Sequence, residues 1–304
     1  MSFNLNGLGE LLENFDSEEF KEHATKELMA TKKPEGTFKD MFECLNKDNQ
    51  KALFGNYGLR GKNKTVENLS QKVLEKAHEC FQNMDSIQLY IFNEIEEKGY
   101  SDELEFNILN QGIIFAYEEN GIKVTTPKEI MEQFKKDISL QKKKEIKKNS
   151  IEAMIALLSP LYGFVSLDIL KYYLDNFYFI KISKNELIKF IKENFGEEYL
   201  LEYNNKIYYV DSCLEMPDDL SFLKNLNSII LTLGKLESYY IKYLNFLSSF
   251  SMVSPKIEEV VTMSFMFKLL LKPNSIKTLT NELTKEFELT KQEKEKLVQV
   301  LTLY

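Results

Sequence analysis

Cysteine, histidine, glycine and proline are all scarce, and each shortage removes a class of protein. Three cysteines, Cys44, Cys80 and Cys213, make an odd and sparse set in 304 residues. That is unlike the paired framework of a disulfide-stapled protein, so a reducing, cytoplasmic setting is expected. Twelve glycines and six prolines are too few for the many tight turns of an all-β sandwich or propeller. No apolar run reaches the length of a membrane span: 228–234 and 260–271 are short, and the second carries Lys268. The first twenty residues have neither a basic nor an apolar region of the kind that marks a secretory signal, so no membrane partner is expected. Basic excess is missing too. With 39 Lys and Arg against 47 Asp and Glu, net −8, a surface that coats nucleic acid throughout is excluded, because phosphate would be repelled by most of it.

Apolar residues at 43% and charged residues at 28% suffice for a buried core. Helical periodicity dominates, so the fold class expected is mainly α, multi-helical, with two small β-hairpins. Five segments follow. Residues 1–37 read as N-terminal helices, with Leu8, Leu11, Leu12 and Phe15 at helical spacing, closed by a loop at Lys32–Gly36. In 38–81, Phe38, Met41, Phe42 and Leu45 share a helical face; Asp48 opens a short helix, Gly55–Gly58 turns the chain, and Thr65 opens a third helix. In 82–149, a helix ends at Gly99, Ser101 is expected to cap the next with Asp102 and Glu103 in its first turn, and Glu119-Asn120-Gly121 centres a hairpin over 113–124. A long helix then runs from Pro127 to Asn149. In 150–216, Ser166 caps one helix, Ser183 with Glu186 caps another, and a hairpin turns at Asn204-Asn205. In 217–304, helices are expected over 218–250, 254–271, 275–287 and 290–303.

Catalytic and metal chemistry find little to work with. The stretch Gly55 to Asn63 places five residues between the glycines of a phosphate loop that needs four, and Asn63 stands where Ser or Thr would hold magnesium. Of the two histidines, His23 lies on an acidic helix face. His78, Cys80 and Cys44 would be three zinc ligands only if two helices crossed closely, and i, i+2 positions point to different sides of a helix; small apolar thiols and a surface histidine are the simpler reading. The acidic groups at Glu94–Glu97 and Asp102–Glu105, with Lys98 between them, fall on helical surface positions and read as solvated faces. No enzyme, metal or cofactor is therefore expected.

Binding is left. Arg60, Lys62 and Lys64 form a basic turn with no acid between Tyr57 and Lys64, and Lys142, Lys143, Lys144, Lys147 and Lys148 face only Glu145 in the window 139–149. Leu45-Asn46-Lys47-Asp48, Lys51-Ala52-Leu53, Tyr57 to Lys64 and Val66-Glu67-Asn68-Leu69 carry a resemblance to the Rho-termination-factor N-terminal and SAP-type helix–extended–helix families. That resemblance implies contact with DNA or RNA through the basic turn and the following helix. The family's usual Lys-Lys-x-Glu-Leu-Ile start is replaced here by Lys64-Thr65-Val66-Glu67-Asn68-Leu69. The two helix–helix–hairpin segments resemble winged-helix units in pattern alone, and the acids Asp102, Glu103 and Glu105 oppose insertion of the first into a groove. Two functions compete. The first is weak, salt-dependent association with DNA or RNA through the basic residues named above; the alternative is a protein–protein adaptor or structural protein without nucleic-acid contact.

Overall fold

The structure is a computed structural model and describes residues 29–212, 230–247 and 259–263, with scattered single positions beyond 212. The helices expected over 1–31, 254–271, 275–287 and 290–303, and the first part of the one expected over 218–250, lie largely outside the described residues; where the first is described, at 29–31, it is not helical, and Ala30 instead bridges Leu45. The chain is mostly helical with two small antiparallel sheets. It divides into two compact units at Ser150 and Ile151, each with its own apolar core.

In the unit that ends at Ser150, helix α1 (Phe38–Phe42) starts where Thr37 and Asp40 cap each other's backbone N–H groups. The Asn46 side chain caps α2 (Lys47–Asn56), and Thr65 caps α3 (Val66–Gln82) by accepting from the Asn68 N–H. Asp85 caps α4 (Ser86–Lys98), which Gly99 ends at a φ of 83°. The short α5 (Phe106–Asn110) leads into strands β1 (Phe115–Glu118) and β2 (Ile122–Thr125). These pair antiparallel around Asn120 and Gly121, both at positive φ, as an Asn-Gly hairpin requires. Phe81, Phe92 and Phe134 tie α3, α4 and α6 (Lys128–Asp137) together, with ring centroids 5.0 to 5.6 Å apart. Phe38 meets Phe115 at 6.0 Å and Phe42 meets Phe54 at 5.4 Å, so residues 38–56 share one core with the hairpin and the helices after it.

Three expectations in this unit are corrected. Glu94, expected on a solvated face, is 8% exposed, because Ser101 and Lys98 satisfy its carboxylate inside the fold. Ser101 does not cap a helix. Its hydroxyl donates to Glu94 Oε2 at 2.8 Å while its backbone bridges Val124, and α5 starts five residues later with the Glu105 carboxylate accepting from the Asn107 and Ile108 N–H groups. The helix expected from Pro127 to Asn149 is broken at Ile138, whose ψ of 86° is non-helical and whose side chain is buried. Ser139 then starts α7 (Leu140–Tyr162), its hydroxyl accepting from the Lys142 N–H.

The other unit contains β3 (Phe164–Ser166), α8 (Leu167–Phe177), α9 (Lys184–Asn194), β4 (Leu200–Tyr203), β5 (Lys206–Val210) and α10 (Leu233–Leu247). Ser166 caps α8, and Ser183 with Glu186 forms the capping box of α9. Asn204 and Asn205 both take positive φ in the hairpin turn. Strand β3, not foreseen in the sequence, pairs with β5 and gives a sheet of order β3-β5-β4. Tyr173 anchors the sheet-side helix: its hydroxyl donates to the Leu231 carbonyl at 2.8 Å and accepts from the Leu231 N–H at 2.9 Å.

Candidate nucleic-acid interface

The basic turn is built by backbone bonds. The Gly58 N–H donates to Gly55 O and the Leu59 N–H to Phe54 O, closing α2, and Gly58 takes a φ of 64° that a side chain would resist. Asn56 Nδ2 donates to Asn110 O, and the Tyr57 hydroxyl to Gln111 O at 2.8 Å, which pins the end of α2 to the end of α5. Burial raises the Tyr57 phenol above its ordinary pKa, so this donor stays protonated. Arg60 is extended, Gly61–Asn63 make one 3-10 turn, and Asn68 Nδ2 reaches back to Asn63 O at 3.1 Å. The order is helix, extended basic turn, helix.

All three cations of the turn are exposed. Lys64 Nζ lies 5.2 Å from the centroid of the Phe54 ring, a cation–π contact that fixes its stem without neutralising it. Among the described residues, Arg60, Lys62 and Lys64 form no ion pair. The nearest acid in sequence, Glu67, lies in the first turn of α3, where the helix dipole favours it.

The second basic set sits differently. Lys143 donates to Asn93 Oδ1 at 2.6 Å, stands 3.9 Å from Glu96 Oε2 and lies over the Phe134 ring at 5.4 Å, so it helps dock α7 on α4. Lys142 is 4.0 Å from Glu145. Lys144 and Lys148 are exposed, Lys147 is half-buried, and both Lys147 and Lys148 have partners. The two sets begin far apart. His78 Nδ1 is 2.7 Å from Asp137 Oδ2, just before α7, and His78 lies thirteen residues, or about 20 Å of helix, beyond Thr65.

The residues weighed as metal ligands go separate ways. Cys44 Sγ donates to Asp40 O at 3.3 Å, Cys80 Sγ to Gln111 Oε1 at 3.4 Å, and His78 pairs with Asp137. In the other unit, each lysine of α9 faces an acid: Lys184 with Asp168 at 2.5 Å, Lys189 with Glu193 at 3.7 Å, and Lys192 with Glu197. Of these acids Glu193 shares the helix with its lysine, whereas Asp168 comes from α8 and Glu197 from the turn after α9. No helix among the described residues is long and apolar enough to cross a membrane. Comparison with protein-family models, curated proteins and solved structures finds no match to this chain.

Proposed function

We propose that this chain is a non-enzymatic protein that associates weakly with nucleic acid, gripping phosphates with Arg60, Lys62 and Lys64. The observation that carries this reading is the turn itself: three exposed cations on five consecutive residues, held by backbone bonds and unneutralised by any described acid. Fixed cations of this kind release counterions when they meet phosphate, which is the main source of sequence-independent affinity. The resemblance of residues 38–80 to helix–extended–helix families points to the same turn. The run from Lys142 to Lys148 is assigned a secondary role, since its charge is partly spent within the fold. Free thiols at Cys44 and Cys80 support a reducing cytoplasmic setting.

The adaptor reading has one specific observation in its favour, the pairing of every α9 lysine with an acid. A helix so neutralised suits a protein surface better than a phosphate backbone. Fluorescence anisotropy at low salt, with labelled single- and double-stranded DNA and RNA, separates the two readings. Wild type should bind at least one of these, and a triple Arg60/Lys62/Lys64→Ala variant should lose most of that binding. Equal binding by the variant, or none by wild type, would favour the adaptor.

A further inference from the structure

Within the unit that ends at Ser150, a cleft of about 550 Å³ opens between the loop 33–36, the end of α4 and one face of α6. That volume is typical of a ligand site and far above a packing defect. Its floor is apolar and deformable. Pro34 is buried, Met41 and Ile95 are 2% and 6% exposed, and Met131 is half-buried. Two methionines let such a floor adapt to differently shaped side chains.

The charges of the rim nearly cancel in pairs. Lys33 lies 3.4 Å from Glu119 and 3.7 Å from Glu35, Lys98 pairs with Glu94, and Lys135 is 3.4 Å from Glu96. Two rim charges are left over, Lys128 and Glu132. Both are exposed, and neither forms an ion pair with a described residue, although Lys128 is near enough to Asp40 to help hold that carboxyl down. They stand one turn apart on α6, about 6 Å along its axis. Alternate residues of an extended peptide are about 6.6 Å apart and point the same way, while the residue between them points the other way.

We propose that this cleft binds an extended segment of a partner protein with the pattern acid–apolar–base. The acid meets Lys128, the base meets Glu132, and the apolar side chain between them enters the floor over Met41 and Ile95. Both the unpaired charges and their spacing select this occupant; a uniformly acidic or basic segment would set one like-charge pair against α6. The site is separate from the basic turn and does not depend on the reading of that turn.

The test is amide NMR on the full ¹⁵N-labelled chain with three blocked peptides, Gly-Asp-Leu-Lys-Gly, Gly-Asp-Leu-Asp-Gly and Gly-Lys-Leu-Lys-Gly. The first should shift the Gly36 and Gly99 amides at the cleft walls and bind about 1.5- to fivefold tighter than the other two, as one exposed ion pair gained or lost would dictate. In Lys128→Glu the preference should pass to the Lys-Leu-Lys peptide, and in Glu132→Lys to the Asp-Leu-Asp peptide, so that neither result depends on a loss of folding. No shift at Gly36 or Gly99 with millimolar peptide, or a preference unchanged by both substitutions, would overturn the proposal.

Discussion

Replacing Glu94 by Gln should destabilise the unit that ends at Ser150, and should do so in a pH-dependent way. Glu94 is 8% exposed and accepts from the Ser101 hydroxyl at 2.8 Å, from Lys98 Nζ and from the Tyr90 phenol. Ser101 is itself fully buried and accepts from the Glu103 N–H at 3.1 Å, so the cluster fixes the chain as it leaves α4 and bridges to Val124. Burial pushes the Glu94 carboxyl up, but the bonds from Lys98, Ser101 and Tyr90 outweigh it and hold the group below the ordinary carboxylate range. A glutamine keeps the shape and loses the charge, and its amide nitrogen must face a group that now donates to the carboxylate. Hydrogen bonds to a charged group contribute about 1.5–3 kcal/mol, so a loss of about 1–3 kcal/mol near pH 7 is expected in urea unfolding followed by circular dichroism. The folded carboxyl has the lower pKa. Its contribution is therefore complete above the unfolded-state value and is lost as pH falls through the folded-state value. The gap between wild type and Glu94→Gln should narrow on acidification. A gap below about 0.5 kcal/mol at pH 7, within the range of an ordinary surface substitution, would refute this reasoning, as would a gap that stays constant into acid.

Phe81→Ala should cost about 3–5 kcal/mol in the same assay, because Phe81 is 1% exposed and its ring contacts Phe92 and Phe134 on two other helices. In the β4–β5 turn, Asn205→Gly should be neutral or slightly stabilising, whereas Asn205→Val should cost about 1–2 kcal/mol, since a β-branched residue resists its φ of 59°. Lys143→Ala should lower stability by under about 1 kcal/mol, the range for a partly exposed ion pair, and leave nucleic-acid binding nearly unchanged.

The local parts of the fold were legible in sequence. Thr65, Asp85, Ser166 and Ser183 cap helices because each reaches an N–H two or three residues ahead, a relation visible in any window of five. The hairpin turns were equally plain, since Asn120-Gly121 and Asn204-Asn205 tolerate the positive φ that the strands demand. Ser101 misled because its competing partners, Glu94 and Val124, come from elements on either side of it, and a bridge of that kind leaves no local pattern. The break at Ile138 was hidden by apolar periodicity that continues through it, and β3 by its length of three residues.

The candidate site divides the same way. Arg60, Lys62 and Lys64 are consecutive enough for their charges to be counted along the chain. What offsets Lys143 is not, because Asn93 and Glu96 lie about fifty residues earlier and meet it only when α7 packs on α4. The cleft beside α6 was invisible for the same reason: its walls come from residues 33–36, 95–100 and 125–135. Charge runs can be read from sequence, but which charges remain unpaired is a property of packing.

The central claim, that a turn of three cations contacts phosphate, is tested most directly by the salt dependence of binding to the best-bound of single- and double-stranded DNA and RNA, in wild type and in the triple Arg60/Lys62/Lys64→Ala variant. Each phosphate neutralised contributes about −0.9 on a duplex and about −0.7 on a single strand to the slope of log K against log salt concentration, so wild type should show a slope of about −2 to −3 and the variant a clearly shallower slope with much weaker binding. A wild-type slope near zero, or a steep slope of about −7 that persists in the variant, would contradict the account.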